Sequence, residues 1–232
     1  MQEIPERPPQ LQTPRPSQRH LGTKSGAKLW LLRHAEVHED WQGKAYGDLD
    51  VELSAKGLER TQEMAEAFRN HPVGGILSSS LQRARLLAEA LERTLGRTPE
   101  YSDDLREIHR GKWQGLTVQE LHTHHKEDVA LFYADPWNYC DHGGESDALL
   151  SKRLWPIVEA GLKQSKGAPL FVVSHYNVIR VLVADALGIP PERSFQLRVD
   201  VGRAVQLIDG ENGWRLRRSN VLGPEPTELQ AR

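Results

Sequence analysis

The chain lacks several features that would assign it to other structural classes. Its 232 residues include one cysteine, Cys140, which excludes an internal disulfide and a cysteine-based zinc cluster and favours a reducing compartment. Acidic and basic residues almost balance, with a formal net charge of −2, so nothing predicts a nucleic-acid or anionic-membrane partner. No apolar run approaches the ~20 residues of a membrane-spanning helix. We therefore expect a soluble, cytoplasmic protein.

Proline is concentrated near the amino end. Residues 1–26 hold five prolines among Gln, Arg and Glu and have little to bury, which is typical of a disordered tail. This segment also lacks the apolar run of a signal peptide. It could bind a proline-recognising domain, although solvated tails without a partner are more common. With a shorter flexible tail expected over residues 222–232, one folded domain remains at 27–221.

Between the tails, patterns typical of strands and helices alternate. Short apolar runs at 28–32, 75–78 and 170–174 predict buried strands, and 204–208 with 214–216 predicts a hairpin. Helices are predicted after Ser54, over 81–95, from Thr117 to about Ala134, after Ser146 and around 178–186. Pro156 is expected to kink or end the helix that follows Ser146. This alternation predicts an α/β domain with a largely parallel sheet and helices on both faces.

Two of the predicted strands end in a histidine. His34 follows the first strand and His175 follows the strand at 170–174. Sites of such sheets lie beyond the carboxyl ends of the strands, so these histidines are the first indication of chemistry. Taken singly, a histidine after a buried strand is more often a satisfied interior residue than a catalyst.

Hydrolysis of a phosphate monoester without a metal needs a nucleophile, a cationic cradle and an acid for the leaving alkoxide. Arg33 and His34 supply a cation and a nucleophile side by side, and Arg83 opens a predicted helix behind three serines. Each arginine alone is more often a solvated surface residue. The combination and its order favour the catalytic interpretation.

Six motifs carry a family resemblance. In chain order they are 32–36 (LRHAE), 47–57 (GDLDVELSAKG), 78–84 (SSSLQRA), 105–115 (LREIHRGKWQG), 144–146 (GES) and 173–175 (VSH). Together they resemble the signature of the histidine phosphatase superfamily, also called phosphoglycerate-mutase-like. The stretch at 46–51 and the compact core are similar to broad-specificity and α-ribazole phosphatases.

The resemblance implies a function and roles for five residues. His34 would be phosphorylated, Arg33, Arg83 and His175 would hold the phosphate, and Glu107 would donate the proton. It also implies a three-layer α/β/α sandwich with a mixed, mostly parallel sheet. The expected activity is metal-independent hydrolysis of small phosphate monoesters, with no cofactor.

The chain departs from the family pattern at several positions. Ala35 stands where glycine is usual, which would cost up to about 1 kcal/mol in strain if the position needed positive φ. Asp40 stands where a phosphate-proximal asparagine is common, so we expect it to point away or to contact another part of the substrate. Tyr176 replaces a glycine and is a candidate substrate-binding residue, with packing alone an equal alternative.

Other histidines are weaker candidates. His122, His124 and His125 could suggest a metal site, but they have no matched carboxylate and are better explained as a solvated helix face. His109, close behind Glu107, could line the pocket or lie outside it.

Two alternative functions stay open. A phosphoglycerate-mutase-type phosphotransferase would share the nucleophile, but the short interval between Leu116 and Gly144, which is not basic, favours hydrolysis. A binding module for a phosphorylated partner would keep the fold without the catalysis, although all five key residue types are present. The sequence leaves the substrate and the oligomeric state undetermined.

Overall fold

The computed structural model describes residues 26–224. The expected tails at 1–26 and 222–232 therefore lie almost entirely outside the described residues. Of their few described residues, Leu222 is partly buried and packs against a core cluster that includes Trp30 and Phe68.

Within residues 26–224 one six-stranded sheet forms the centre of the structure. Its order is β3-β2-β4-β1-β5-β6. The first four strands are mutually parallel, and β5 runs antiparallel to both of its neighbours, β1 and β6. The strands are β1 (Lys28–Arg33), β2 (Gly75–Ser79), β3 (Glu100–Ser102), β4 (Leu170–Ser174), β5 (Ala204–Gly210) and β6 (Gly213–Val221). The predicted mixed, mostly parallel sheet is confirmed, and so is the predicted hairpin of β5 and β6.

In the described part of the chain, six α-helices connect and cover the strands. They are α1 (Ala55–Ala67), α2 (Gln82–Leu95), α3 (Val118–His124), α4 (Lys126–Ala134), α5 (Asp147–Gln164) and α6 (Tyr176–Leu187). Ser54 caps α1 by accepting a hydrogen bond from the amide of Gly57. Gly96 and Gly188 end α2 and α6 in left-handed conformations that favour glycine.

The sheet is covered on both faces, which explains why the central strands β1 and β4 are apolar without alternation. Leu29 and Leu31 of β1 pack into a cluster with α5 and α6, whereas Trp30 and Leu32 pack into a second cluster with α1 and α2. The predicted three-layer arrangement is therefore confirmed. A third, smaller cluster joins Trp113 to α4.

Of the two effects predicted for Pro156, a kink or an end of the helix, the second is wrong, because α5 continues to Gln164. Pro156 and Lys152 both lie on the exposed side of the helix. The carbonyl that loses its intrahelical partner therefore faces solvent, where water can satisfy it. The opposite side buries Trp155 and Val158, which hold the second half of the helix in line.

The helix predicted from Thr117 to Ala134 is two helices. The predicted capping box of Thr117 and Glu120 begins α3. His125 then leaves the helical region, with φ −129° and ψ 27°. The part after the break buries Val129 and Phe132, whereas α3 buries no residue. Among the described residues, no helix is both long enough and apolar enough to span a bilayer.

Candidate active site

The two strand-end histidines lie together. Strands β1 and β4 are parallel neighbours with Arg33 opposite Ser174, so the residues that follow emerge at the same edge of the sheet. The ring centroids of His34 and His175 are 5.1 Å apart, and the two side chains are almost wholly buried. The structure thus brings the two predicted site histidines into one place.

Hydrogen bonding fixes the tautomer of His34. Its Nδ1 lies 2.7 Å from the carbonyl oxygen of Ala35. Because a carbonyl only accepts, Nδ1 must carry the proton, which leaves the lone pair on Nε2. Burial, followed by the charges of Arg83 and Arg33, holds the pKa of His34 well below its ordinary value. The imidazole is therefore neutral near pH 7, in the form that can attack phosphorus.

Arg83 is anchored by the loop before α1. Its Nη1 donates to the carbonyl of Leu49 at 2.6 Å and its Nη2 to that of Gly47 at 2.8 Å. The guanidinium carbon lies 5.2 Å from the centroid of the Tyr46 ring. This anchoring explains why the GDLD segment and the arginine of α2 occur together in the sequence.

Three buried nitrogen atoms around His34 have no hydrogen-bond partner among the described residues. They are Nε of Arg33, Nε of Arg83 and Nδ1 of His175. Nε2 of His175 is 2.8 Å from the hydroxyl of Ser79, which can donate to it and leave the proton on Nδ1. Buried donors without partners are costly, and an anion bound beside His34 would supply acceptors for donors of this kind.

Glu107 is held by three backbone and side-chain donors. Its Oε1 accepts from the amide of Ile108 at 2.9 Å, and its Oε2 accepts from the amide and the side-chain nitrogen of Asn177, each at 3.3 Å. Asn177 is in turn held by the buried Arg180, which also forms an ion pair of 2.6 Å with Asp147. The carboxyl group therefore has a fixed position beside α6.

Two glycines allow the loop that carries Glu107 to pack closely on the GES segment. A Cβ at Gly111, where φ is +50°, would lie 2.1 Å from the carbonyl oxygen of His142. A Cβ at Gly144 would lie 2.2 Å from that of His109. Glu145 reinforces this contact by accepting from the amide of His109 at 3.0 Å. The motif at 105–115 and the GES motif thus form one packed unit that holds the loop carrying Glu107.

A cavity of about 260 Å³ opens beside these groups. Arg33, Tyr46, Glu107 and Tyr176 are among the residues that line it. The rest of its wall comes largely from α3, α4 and the loops before them, and includes Lys44, Arg110, Trp113, Phe132 and Tyr133. A larger cleft of about 1110 Å³ lies at the amino ends of strands β1, β2 and β4 and is not lined by His34 or His175.

Comparison with known proteins assigns the family. The model of the histidine phosphatase superfamily (branch 1) matches residues 29–222. The chain belongs to the histidine phosphatase superfamily. The predicted membership is confirmed.

Several relatives of this histidine phosphatase are named as phosphatases, and one, of Arabidopsis thaliana, is named phosphoglycerate mutase-like protein 4. Glucosyl-3-phosphoglycerate phosphatase of Mycolicibacterium vanbaalenii is 32% identical over 170 residues, covering 70% of this chain and 75% of the relative. Adenosylcobalamin/α-ribazole phosphatase of Escherichia coli is 25% identical over 200 residues, covering 85% and 98%. The native structure of mycobacterial glucosyl-3-phosphoglycerate phosphatase superposes with a TM-score of 0.72 at 28% identity, covering 84% and 98%. The expected class, phosphoric monoester hydrolase, is thereby confirmed.

The other predicted positions lie as follows in the histidine phosphatase. Tyr176 lines the cavity, and the guanidinium carbon of Arg33 is 5.2 Å from its ring centroid. His109 lies outside the cavity wall, with Nδ1 2.9 Å from Oδ1 of Asp48. Asp40 is exposed, and its carboxylate lies 3.4 Å from His38.

In the described part of the chain, Ala35 shows no left-handed backbone strain and the histidines of α3 belong to no metal-binding group. Within residues 26–224 the non-glycine residues with positive φ are Asn70, Lys166 and Asn220, so Ala35 carries no left-handed strain. His122 lines the cavity, whereas His124 does not. No group of three or more His, Cys, Asp or Glu in the described part of the chain could hold a metal ion.

Sequence reasoning missed two residues of the site. Asn177 holds Glu107, and Arg110 lies on the cavity wall. Arg110 is three residues after Glu107 in the same motif, and Asn177 is two after His175. Their proximity to motif residues was a signal, but their side-chain directions depend on tertiary packing.

Proposed function

We propose that the chain hydrolyses small phosphate monoesters through a phosphohistidine intermediate on His34. The observation that carries the proposal is the grouping of a neutral imidazole, with its lone pair on Nε2, and three buried donors without partners. A phosphoryl group has the charge and the acceptor oxygens that such donors require.

In the first step Nε2 of His34 attacks phosphorus and the bond from phosphorus to the ester oxygen breaks. Glu107 gives a proton to the departing alkoxide. In the second step water attacks the phosphohistidine, the phosphorus–nitrogen bond breaks, and the Glu107 carboxylate takes a proton from the water. Arg33, Arg83 and His175 stabilise the equatorial oxygens in both steps. The proposal uses no metal ion or cofactor.

Small substrates are supported by the size of the cavity, about 260 Å³. The names of the relatives point to different substrates, glucosyl-3-phosphoglycerate in one and α-ribazole phosphate in another. We therefore expect a small phosphorylated metabolite.

Trapping the intermediate tests the proposal. The protein is incubated with phosphomonoesters carrying labelled phosphate and quenched in alkali, which preserves phosphohistidine. We expect label on the unaltered chain, none on His34→Ala, and full labelling of His124→Ala, which alters an exposed helical histidine outside the cavity. Label on His34→Ala would contradict the assignment of the nucleophile.

The fate of the label separates the alternatives. Release as inorganic phosphate supports hydrolysis, whereas isomerisation of 3-phosphoglycerate in the presence of a bisphosphorylated primer, without phosphate release, would indicate a mutase. Binding of esters with no label on the protein and no release would indicate a binding module.

A further inference from the structure

The cavity contains a cation that the proposed hydrolysis does not use. Arg110 precedes the single helical turn at Gly111–Trp113 and is directed into the cavity wall beside Phe132, with its guanidinium carbon 4.9 Å from the ring centroid. Its Nη1 is buried and has no hydrogen-bond partner among residues 26–224. The guanidinium group therefore has unused hydrogen-bonding capacity.

The surroundings of Arg110 favour an anion. Burial lowers its pKa, although an arginine stays protonated near pH 7. Lys44 contributes a second cation to the wall, and Glu107 is the one acidic residue among the cavity-lining residues that the structure describes. The carboxylates of Glu107 and Asp147 offset part of the cost of burying this cation, but its Nη1 donates to neither of them. An anionic group of the substrate would satisfy that donor.

Arg110 lies apart from the residues that are proposed to bind the phosphate. The buried donors of Arg83 and His175 lie around His34, and neither residue lines the cavity. Arg110 instead lies on the wall formed with α3 and α4, where the alcohol part of an ester would extend. A carboxylate suits this position, because its two oxygens match the paired N–H groups of a planar guanidinium.

We propose that Arg110 binds a carboxylate of the substrate, so that phosphorylated hydroxy acids are preferred over esters without a carboxylate. This inference rests on the proposed function, and it makes Arg110 a specificity-determining residue. Lys44 adds positive charge to the lining of the same cavity.

Two pairs of esters test the inference. O-phosphoserine is compared with O-phosphoethanolamine, and 3-phosphoglycerate with glycerol 3-phosphate; within each pair only the first compound carries a carboxylate. Phosphate release gives kcat/KM for each, and the ratio within a pair is the readout. We expect a ratio of about ten or more for the unaltered chain, since a charge-assisted hydrogen bond contributes at least that factor.

Variants of Arg110 test whether this residue causes the preference for esters that carry a carboxylate. Arg110→Met retains the length of the side chain and should bring both ratios close to one, while Arg110→Lys should give intermediate ratios. Lys112→Gln removes a nearby charge outside the cavity, where Lys112 pairs with Asp128 at 2.8 Å, and should leave the ratios unchanged. Partial unfolding of a variant lowers kcat/KM for both esters of a pair by the same factor, so their ratio does not change.

The outcomes distinguish the two proposals. A ratio near one in the unaltered chain, or an undiminished ratio in Arg110→Met, overturns the role of Arg110 while hydrolysis itself stands. Hydrolysis of p-nitrophenyl phosphate but of none of the four esters also overturns it. If no ester labels His34 and none is hydrolysed, the proposed function fails first.

Discussion

At the scale of single residues, the site depends on groups whose protonation is controlled by burial. The pKa of His175 is held well below its ordinary value by burial and by the charge of Arg83, as it is for His34. A neutral His34 attacks, and a neutral His175 still has one N–H to donate. The remaining requirement is a proton for the leaving alkoxide, which the proposal assigns to Glu107.

Replacing that acid should affect esters according to their leaving group. We expect Glu107→Gln to lower kcat/KM for an alkyl phosphate by about 10²- to 10⁴-fold, because an alkoxide must be protonated as it departs. The loss for p-nitrophenyl phosphate should be much smaller, since p-nitrophenolate departs without a proton. Steady-state kinetics with both esters make the comparison.

The control for this experiment is Glu89→Gln on the exposed face of α2, which should leave both values unchanged. Equal losses for the two esters in Glu107→Gln would contradict a role in protonating the leaving group.

A second prediction at this scale concerns His142 and acid stability. Burial, followed by the charge of Arg110, lowers the pKa of His142 to about 4, whereas an unfolded histidine titrates near ~6.5. Between these values the unfolded chain binds a proton that the folded chain does not, so stability falls as pH decreases through this range. The loss at pH 5 relative to pH 7.5 should be about 2 kcal/mol from this group.

Urea unfolding of the unaltered chain and of His142→Phe at the two pH values measures that contribution. The difference between the two pH values should be smaller in the variant, whatever its stability at pH 7.5. Identical differences would show that His142 contributes nothing to the pH dependence.

At the scale of secondary-structure elements, the buried ion pair between α5 and α6 connects the fold to the site. Arg180 is fully buried and bonds to Asp147, to Ser194 and to the side-chain oxygen of Asn177. Asn177 then orients Glu107. Packing of two helices thereby fixes the position of a carboxyl group at the site.

Breaking the ion pair between Arg180 and Asp147 should lower the free energy of unfolding. Asp147→Asn leaves the buried guanidinium of Arg180 without its counter-charge, and we expect a destabilisation of about 3–5 kcal/mol. The exposed pair of Arg85 and Glu89, 3.5 Å apart, offers a matched control, because Glu89→Gln should cost no more than about 0.5 kcal/mol. Chemical unfolding monitored by circular dichroism gives both values, and similar losses would refute the argument.

At the scale of the whole molecule, one domain contains all the groups of the proposed mechanism. The hydrophobic clusters and the candidate site lie within residues 26–224, and the family match covers 29–222. The domain limits of 27–221 and the cytoplasmic location remain predictions.

Removing residues 1–25 tests the amino-terminal limit of the domain. Because the described core and site lie within residues 26–224, we expect the shortened chain to keep its kcat/KM within about twofold and its melting temperature within a few degrees. Thermal unfolding and phosphate-release assays on the two chains provide the comparison. A large loss of either property would show that the amino-terminal segment belongs to the functional domain.

The sequence by itself determined the fold class and indicated candidate site residues. Apolar runs ending in His34 and His175 identify two strand ends, because local periodicity is a property of short segments. That these two strands are neighbours was decided by the tertiary structure. Only the tertiary structure decided that α5 continues past Pro156, that Asn177 holds Glu107 and that Arg110 lines the cavity. These outcomes depend on which distant surfaces pack together, and side-chain directions in loops follow from that packing rather than from local sequence.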